Sequence, residues 1–302
     1  MNDATKDGMS DAVGDARVAP SEIDRVIERL DGFALVLGAS SGFGAACALS
    51  LATAGMNVIG VHLDRRSAMG DVDALKQKIE SLGREAWFYN VNAADEVKRR
   101  EVLDDVKKRL LARGKDEKVR VLLHSLAFGT LLPFVAEGPQ GPLAEGGARP
   151  EEASQKQLEM TLDVMANSLV YWTQDVYRRA MFHPHARIFA MTSTGAWTIW
   201  PKYGVVSAAK AALESHVRAL AVELGPRGIT ANAICAGVTD TPALRKIPGN
   251  DALITTALRK NPSHRLTKPE DVARAIVALS QPCLYWMNGN TIHVDGGEAV
   301  AG

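Results

Sequence analysis

Cysteine is scarce: Cys47, Cys235 and Cys283 are the whole complement of a 302-residue chain. An odd number without metal-ligand spacing excludes a disulfide framework and a cysteine metal site. All three are expected as small core residues in a reducing cytoplasm. Charge of one sign is not in excess either, since Lys+Arg and Asp+Glu stand at 35 each. That balance gives no electrostatic footprint for nucleic acid or an anionic membrane surface. No run approaches the roughly 20 apolar residues of a membrane span, and the polar N-terminus lacks the apolar core of a signal peptide. Internal repeats and linkers are missing too. What the chain does have is apolar content, 46% against 23% charged, which suits one globular domain with a full core.

Residues 1–31 read as an N-terminal extension. Positions 1–19 are rich in Asp, Gly and Ala and are expected to be disordered. A short helix follows, with Ile23, Val26, Ile27 and Leu30 on one face. The domain proper spans 32–302 and is organised around its first segment. There a short apolar run, Ala34 to Leu37, meets the turn Gly38-Ala39-Ser40-Ser41-Gly42-Phe43-Gly44, and an Ala/Leu-rich helix continues to Gly55. Strand, glycine turn and helix open a dinucleotide fold, in which N–H groups at the helix start face a pyrophosphate. Gly38 allows the turn, Gly42 the approach of a cofactor to backbone, and Gly44 close helix–strand packing.

Further strands are expected at 56–63, 86–89, 119–123, 188–191, 230–234 and 291–294, with helices at 73–82, 97–111, 154–180, 204–224 and 269–280 between them. This alternation predicts an α/β fold, a single doubly wound Rossmann fold with a seven-stranded parallel sheet. The segments 135–152 and 238–265 read as a mobile loop and as a polar, proline-interrupted region. Ligands of such sheets sit outside the carboxyl ends of the strands. The glycine turn, His124-Ser125, Ser193 and Gly237 all fall there.

Tyr203 and Lys210 are seven apart, about two helical turns, and so return to nearly one face. An ammonium beside a phenol is expected to lower its pKa and make it a usable proton donor. Ser193 adds a hydroxyl. Trp197 and Trp200 precede Tyr203 at intervals of three and read equally as lining of the presumed pocket, an acyl channel on the resemblance given below, or as core. Leu131, Leu132 and Phe134 are candidates for the opposite wall. Past the second strand, an acid accepting the adenosine ribose hydroxyl aligns with His62, which cannot take that part. Arg65 and Arg66 suit a 2′-phosphate instead, although Asp64 serves as the acid if the turn is shifted.

From about residue 32 to 298 the chain resembles the short-chain dehydrogenases/reductases. The resemblance rests on the 38–44 turn, Asn90-Val91, Ser193, Lys210 and Val294-Asp295-Gly296-Gly297. Most members carry tyrosine four residues before the lysine, where this chain has Val206. The longer spacing from Tyr203 is similar to the divergent branch, the enoyl-acyl carrier protein reductases. His124-Ser125-Leu126-Ala127-Phe128 and Ala233–Gly237 also resemble that branch, and Asp240 to Pro248 resembles its NADPH-linked third type. Met165 stands where many members have a catalytic Asn, which argues against the usual proton relay, and neighbouring Asn167 reads as a packed polar residue.

The resemblance implies NADPH-dependent reduction of the trans-2 double bond of enoyl thioesters in fatty acid synthesis, with NADH the less favoured cofactor. Tyr203, Lys210 and Ser193 are its implied catalytic residues. Gly38, Ser40, Ser41, Gly42, Phe43, Gly44, Arg65, Arg66, Asn90, Val91, Ser125, Ala127, Lys210, Val238 and Thr241 are its implied cofactor contacts. It also implies a thioester substrate, acyl carrier protein as a possible partner, a cytoplasmic homotetramer, and no metal, nucleic acid or membrane. The alternatives are a 3-oxoacyl or other carbonyl reductase of the same superfamily and a non-catalytic dinucleotide-sensing protein.

Overall fold

Every residue of the first strand is buried, and the rest of the fold is layered around it. A computed structural model describes residues 28–114, 116–136 and 151–301. The expected N-terminal disorder and most of the helix after it, like most of the 135–152 loop, lie outside the described residues. The elements run β1 (Phe33–Leu37), α1 (Gly42–Thr53), β2 (Asn57–His62), α2 (Met69–Ser81), β3 (Ala86–Asn90), α3 (Glu96–Ala112) and β4 (Val119–His124). They continue as α4 (Gln155–Leu162), α5 (Ser168–Arg178), β5 (Phe182–Thr192), α6 (Gly204–Leu224), β6 (Thr230–Ala236), α7 (Asn250–Lys260), α8 (Pro269–Leu279) and β7 (Thr291–Val294).

The seven strands form one parallel sheet in the order β3-β2-β1-β4-β5-β6-β7. Alternate residues of β1 feed opposite faces. Phe33, Leu35 and Leu37 join Leu103, Val106, Trp172, Leu213 and Val217 from α3, α5 and α6. Ala34 and Val36 join Ala48, Leu51, Ile79, Val272 and Ile276 from α1, α2 and α8. Each such aliphatic side chain contributes about 1.5–3 kcal/mol on burial, and the two layers fix β1 between them. Because β1 is flanked by β2 on one side and β4 on the other, their carboxyl ends diverge at a switch point where a crevice opens.

Four departures from expectation have local causes. β5 starts six residues earlier than its apolar run, at Phe182, because His183-Pro184-His185 form an irregular first stretch where the pairing with β4 slips between Val119 and Val121. The polar 238–265 region contains α7, hidden because that helix buries only Ala257. The long helix expected from Ser154 does start there, on a Ser154/Gln157 capping box, but widens into one π-helical turn at Asp163–Asn167. Cys47 and Cys235 are buried as expected, whereas Cys283 is exposed, on the short turn Pro282–Leu284 after α8.

Candidate active site

Two cavities, of about 290 and 310 Å³, lie at the carboxyl edge of the sheet and share Phe43, Ala127, Phe128, Thr241, Ala243 and Lys246 as a common wall. They are lobes of one cleft. The first lobe is lined by the ends of β5 and β6, the start of α6 and the segment after β6. The second is lined by the glycine turn and the ends of β2, β3 and β4.

The second lobe is built largely of backbone. Gly38 adopts φ +88°, and a Cβ there would lie 2.4 Å from the Ser125 carbonyl oxygen, so only glycine lets β1 and β4 part this closely. A Cβ on Gly44 would lie 2.0 Å from Gly38 O, which is the close helix–strand packing expected of it. Ser41, the residue capping α1, makes no side-chain cap bond, so the first-turn N–H groups gain no partner from it, and Gly38, Ser40, Ser41, Gly42 and Phe43 line the lobe. An uncapped helix start against a glycine cradle fits a dinucleotide pyrophosphate.

Val91, Ser125 and Ala127 also line this lobe, Val238 lines the first, and Thr241 lines both. Asn90 does not. Its amide accepts from Asp64 N and donates to Asp64 O, both at 3.0 Å, pinning the end of β2 to that of β3. Asp64 and His62 line the second lobe, with His62 Nδ1 2.9 Å from Asp64 Oδ2. Arg65 and Arg66 are exposed just beyond its rim and do not line it.

The first lobe gathers the hydroxyls. Ser193, extended just past the end of β5, has its Oγ buried and faces the same lobe as Tyr203, whose phenol is its hydrogen-bonding neighbour. The two meet around Gly195: a Cβ there would lie 2.6 Å from Tyr203 Cε1 and 3.1 Å from Ser193 Oγ. Val206, at the position where tyrosine is usual, also lines the lobe and offers no proton. Lys210, expected among the cofactor contacts, lines neither lobe: it lies behind this wall, buried, with Nζ donating to the Met191 carbonyl at 2.6 Å.

The expected electrostatic coupling of phenol and ammonium is corrected by this geometry. Burial pushes the Tyr203 phenol above its ordinary value, the Ser193 hydroxyl opposes that shift, and Lys210 takes no part in it. Burial holds Lys210 itself down to about 8, opposed by Glu214. Tyr203, protonated at neutral pH as any ordinary phenol is, holds that proton more firmly because it is desolvated.

Of the aromatic trio, Trp200 lines the lobe and Trp197 does not. Trp197 is half exposed, its ring 5.8 Å from that of His293. Leu131 lines the lobe, while Phe134 packs over Gly204 at the start of α6, and Leu132 is outside the lining. Met165 enters the wall from the π-helical turn. Asn167 bridges Asp163 and His216 at 2.9 and 3.0 Å. Lys246, from the Asp240 to Pro248 stretch, lines the lobe, as do Thr192 and Leu253, which no sequence motif marks. Thr192 was findable, one step before Ser193. Leu253 belongs to the hidden helix α7.

Fold and site define an NAD(P)-dependent oxidoreductase of the short-chain dehydrogenase/reductase class. The sequence model described as enoyl-(acyl carrier protein) reductase matches residues 38–298, and the chain belongs to that family. A short chain dehydrogenase of Emericella nidulans is 29% identical over 90% of this chain and 97% of its own. The NADH-dependent enoyl-[acyl-carrier-protein] reductase of Escherichia coli is 32% identical, over 41% of this chain and 47% of its own. A short chain dehydrogenase of Burkholderia cenocepacia, solved in complex with NADP, superposes with a TM-score of 0.72 at 28% identity, covering 90% of this chain and 100% of that one. Among the described residues no helix is long and apolar enough to cross a membrane, and no group of three or more His, Cys, Asp or Glu is placed to hold a metal ion.

Proposed function

We propose that the protein reduces the trans-2 double bond of enoyl thioesters with NADPH. The observation that carries this reading is the placement of Tyr203, with Ser193, in the wall of an apolar lobe, while the position four residues before Lys210 holds Val206. A phenol set back by three residues reaches an acceptor farther from the hydride-receiving carbon, as a conjugated thioester oxygen is.

The reduced nicotinamide, when bound, supplies the hydride. Tyr203 holds a proton at Oη and donates a hydrogen bond to the thioester oxygen, where negative charge develops. A preorganised donor in a water-poor lobe is effective there. Ser193 Oγ, buried beside the phenol, steadies the same oxygen or the phenol. Lys210, charged below about pH 8, serves the nicotinamide ribose hydroxyls. Apolar side chains, Leu131, Met165, Trp200 and Val206 among them, exclude water and receive the acyl chain.

The NADPH preference rests on Arg65 and Arg66. They are exposed next to Asp64 in the chain, where a guanidinium pair suits a 2′-phosphate, whereas the Asp64 carboxylate is already engaged by His62. A cytoplasmic homotetramer acting in fatty acid synthesis on substrates delivered by acyl carrier protein belongs to the same proposal.

The test measures NADPH oxidation with crotonyl and acetoacetyl thioesters side by side. Crotonyl turnover with little acetoacetyl turnover supports the reading, and the reverse replaces it with a 3-oxoacyl reductase. NADPH binding without either reaction points to a sensing protein.

A further inference from the structure

Two successive residues at the end of β5 are held by two residues one turn apart on α6. Lys210 Nζ donates to the Met191 carbonyl at 2.6 Å, and Thr192 Oγ1 donates to Glu214 Oε1 at 2.8 Å. The next residue is Ser193, and Thr192 itself lines the lobe. Nothing in the reaction above uses Glu214.

The groups that face Lys210 are Glu214 on its own helix, Cys235 on β6 and His124 on β4. Burial pushes the Cys235 thiol up to about 12 and the His124 imidazole down to about 3, so both are uncharged at neutral pH. Ser168 Oγ gives its proton to the Val164 carbonyl and therefore accepts from His124 Nε2, which leaves Nδ1 a lone pair without a partner. Among these groups only Glu214 carries a charge opposite to that of the ammonium.

We propose that Glu214 is a positioning residue, which clamps the end of β5 through Thr192 and supplies the counter-charge that keeps Lys210 an ammonium behind the cofactor face. The inference rests on the reading of Lys210 as the cation serving the nicotinamide ribose. It needs no particular acyl substrate. An unpaired ammonium in this desolvated place loses its proton more readily, whereas a carboxylate one turn away resists that loss.

The experiment follows NADPH affinity by fluorescence on either side of pH 8, with no thioester present. Wild-type affinity is expected to fall as pH rises through about 8. In Glu214→Gln the fall begins about one pH unit lower, and Glu214→Asp restores it. Thr192→Val keeps the carboxylate but frees it, and moves the break in the same direction by less. It carries the test if Glu214→Gln does not fold. A break unmoved in both Glu214→Gln and Thr192→Val overturns the inference, as does wild-type affinity that is flat through this range. Because thioester is absent, a wild type that reduces no enoyl substrate, together with a shifted break in the variants, refutes the proposed activity and leaves this inference standing.

Discussion

The two lobes of the cleft are of similar volume but are made of different material. The second lobe is a backbone structure. A glycine turn, an uncapped helix start and three strand ends bring N–H groups and small residues to one edge. The first lobe is a side-chain structure, with Tyr203, Trp200, Met165, Leu244 and Leu253 arriving from segments far apart in the chain. Backbone cradles depend on spacing and tolerate little change, whereas side-chain walls can be remodelled one residue at a time. On the proposed function, chemistry and substrate choice therefore concentrate in the first lobe, and cofactor retention in the second.

The largest expected separation of the two comes from Tyr203→Phe. It removes one donor and leaves the ring, and kcat should fall about 100- to 1,000-fold. NADPH affinity stays within error of wild type, because Tyr203 lines only the first lobe. Equal kcat in wild type and variant would move the proton donor elsewhere.

Gly38→Ala is the counterpart in the second lobe. Its Cβ meets a carbonyl oxygen at 2.4 Å in a backbone conformation that disfavours any side chain. The loss of stability should be about 1–3 kcal/mol, read from urea midpoints, with NADPH affinity reduced as well. A variant as stable as wild type would show that β1 and β4 separate without cost.

What could be read in advance follows the same division. The seven parallel strands, the glycine turn and the hydroxyl at Ser193 were legible in the sequence, whereas the order of the strands in the sheet was not. The path of Lys210 was not. The helical angle puts it on the face of Tyr203, yet its ammonium goes to the Met191 carbonyl, a partner that only packed coordinates reveal. Asn167 was read as a packed polar residue, and the structure gives that residue its partners, Asp163 and His216. The aromatic spacing of three suggested one role for Trp197 and Trp200. The short turn after Ser193 sends them to different places.

Lys210 also leaves a signature in the free protein. Its folded value, about 8, lies below the ordinary 10.5. Between these values the unfolded chain binds the extra proton, so stability rises with pH through that interval as the cost of a buried ammonium is relieved. Comparing urea midpoints of wild type and Lys210→Met from pH 7 upward should show this rise in wild type only. Parallel curves would mean that Lys210 titrates normally. Arg65→Ala with Arg66→Ala is expected to act only on the second lobe, weakening NADPH about tenfold while leaving NADH unchanged. Equal loss for both cofactors would remove the 2′-phosphate assignment.

The smallest effect is also the sharpest test of the first lobe. Trp197 and Trp200 share residue type and spacing, but only Trp200 reaches the lining, with its indole N–H directed to the Pro248 carbonyl at 3.4 Å. Removing about 1 kcal/mol of apolar contact from an acyl chain raises KM about fivefold. Trp200→Ala should therefore raise the thioester KM by that amount at unchanged kcat and NADPH affinity, and more for longer chains than for crotonyl. Trp197→Ala should leave all of these unmoved, since its neighbour is His293 on β7. If Trp197 proves the sensitive one, the acyl chain leaves the cleft on the β7 side, and the wall formed by Leu244, Ile247 and Leu253 serves something other than the substrate.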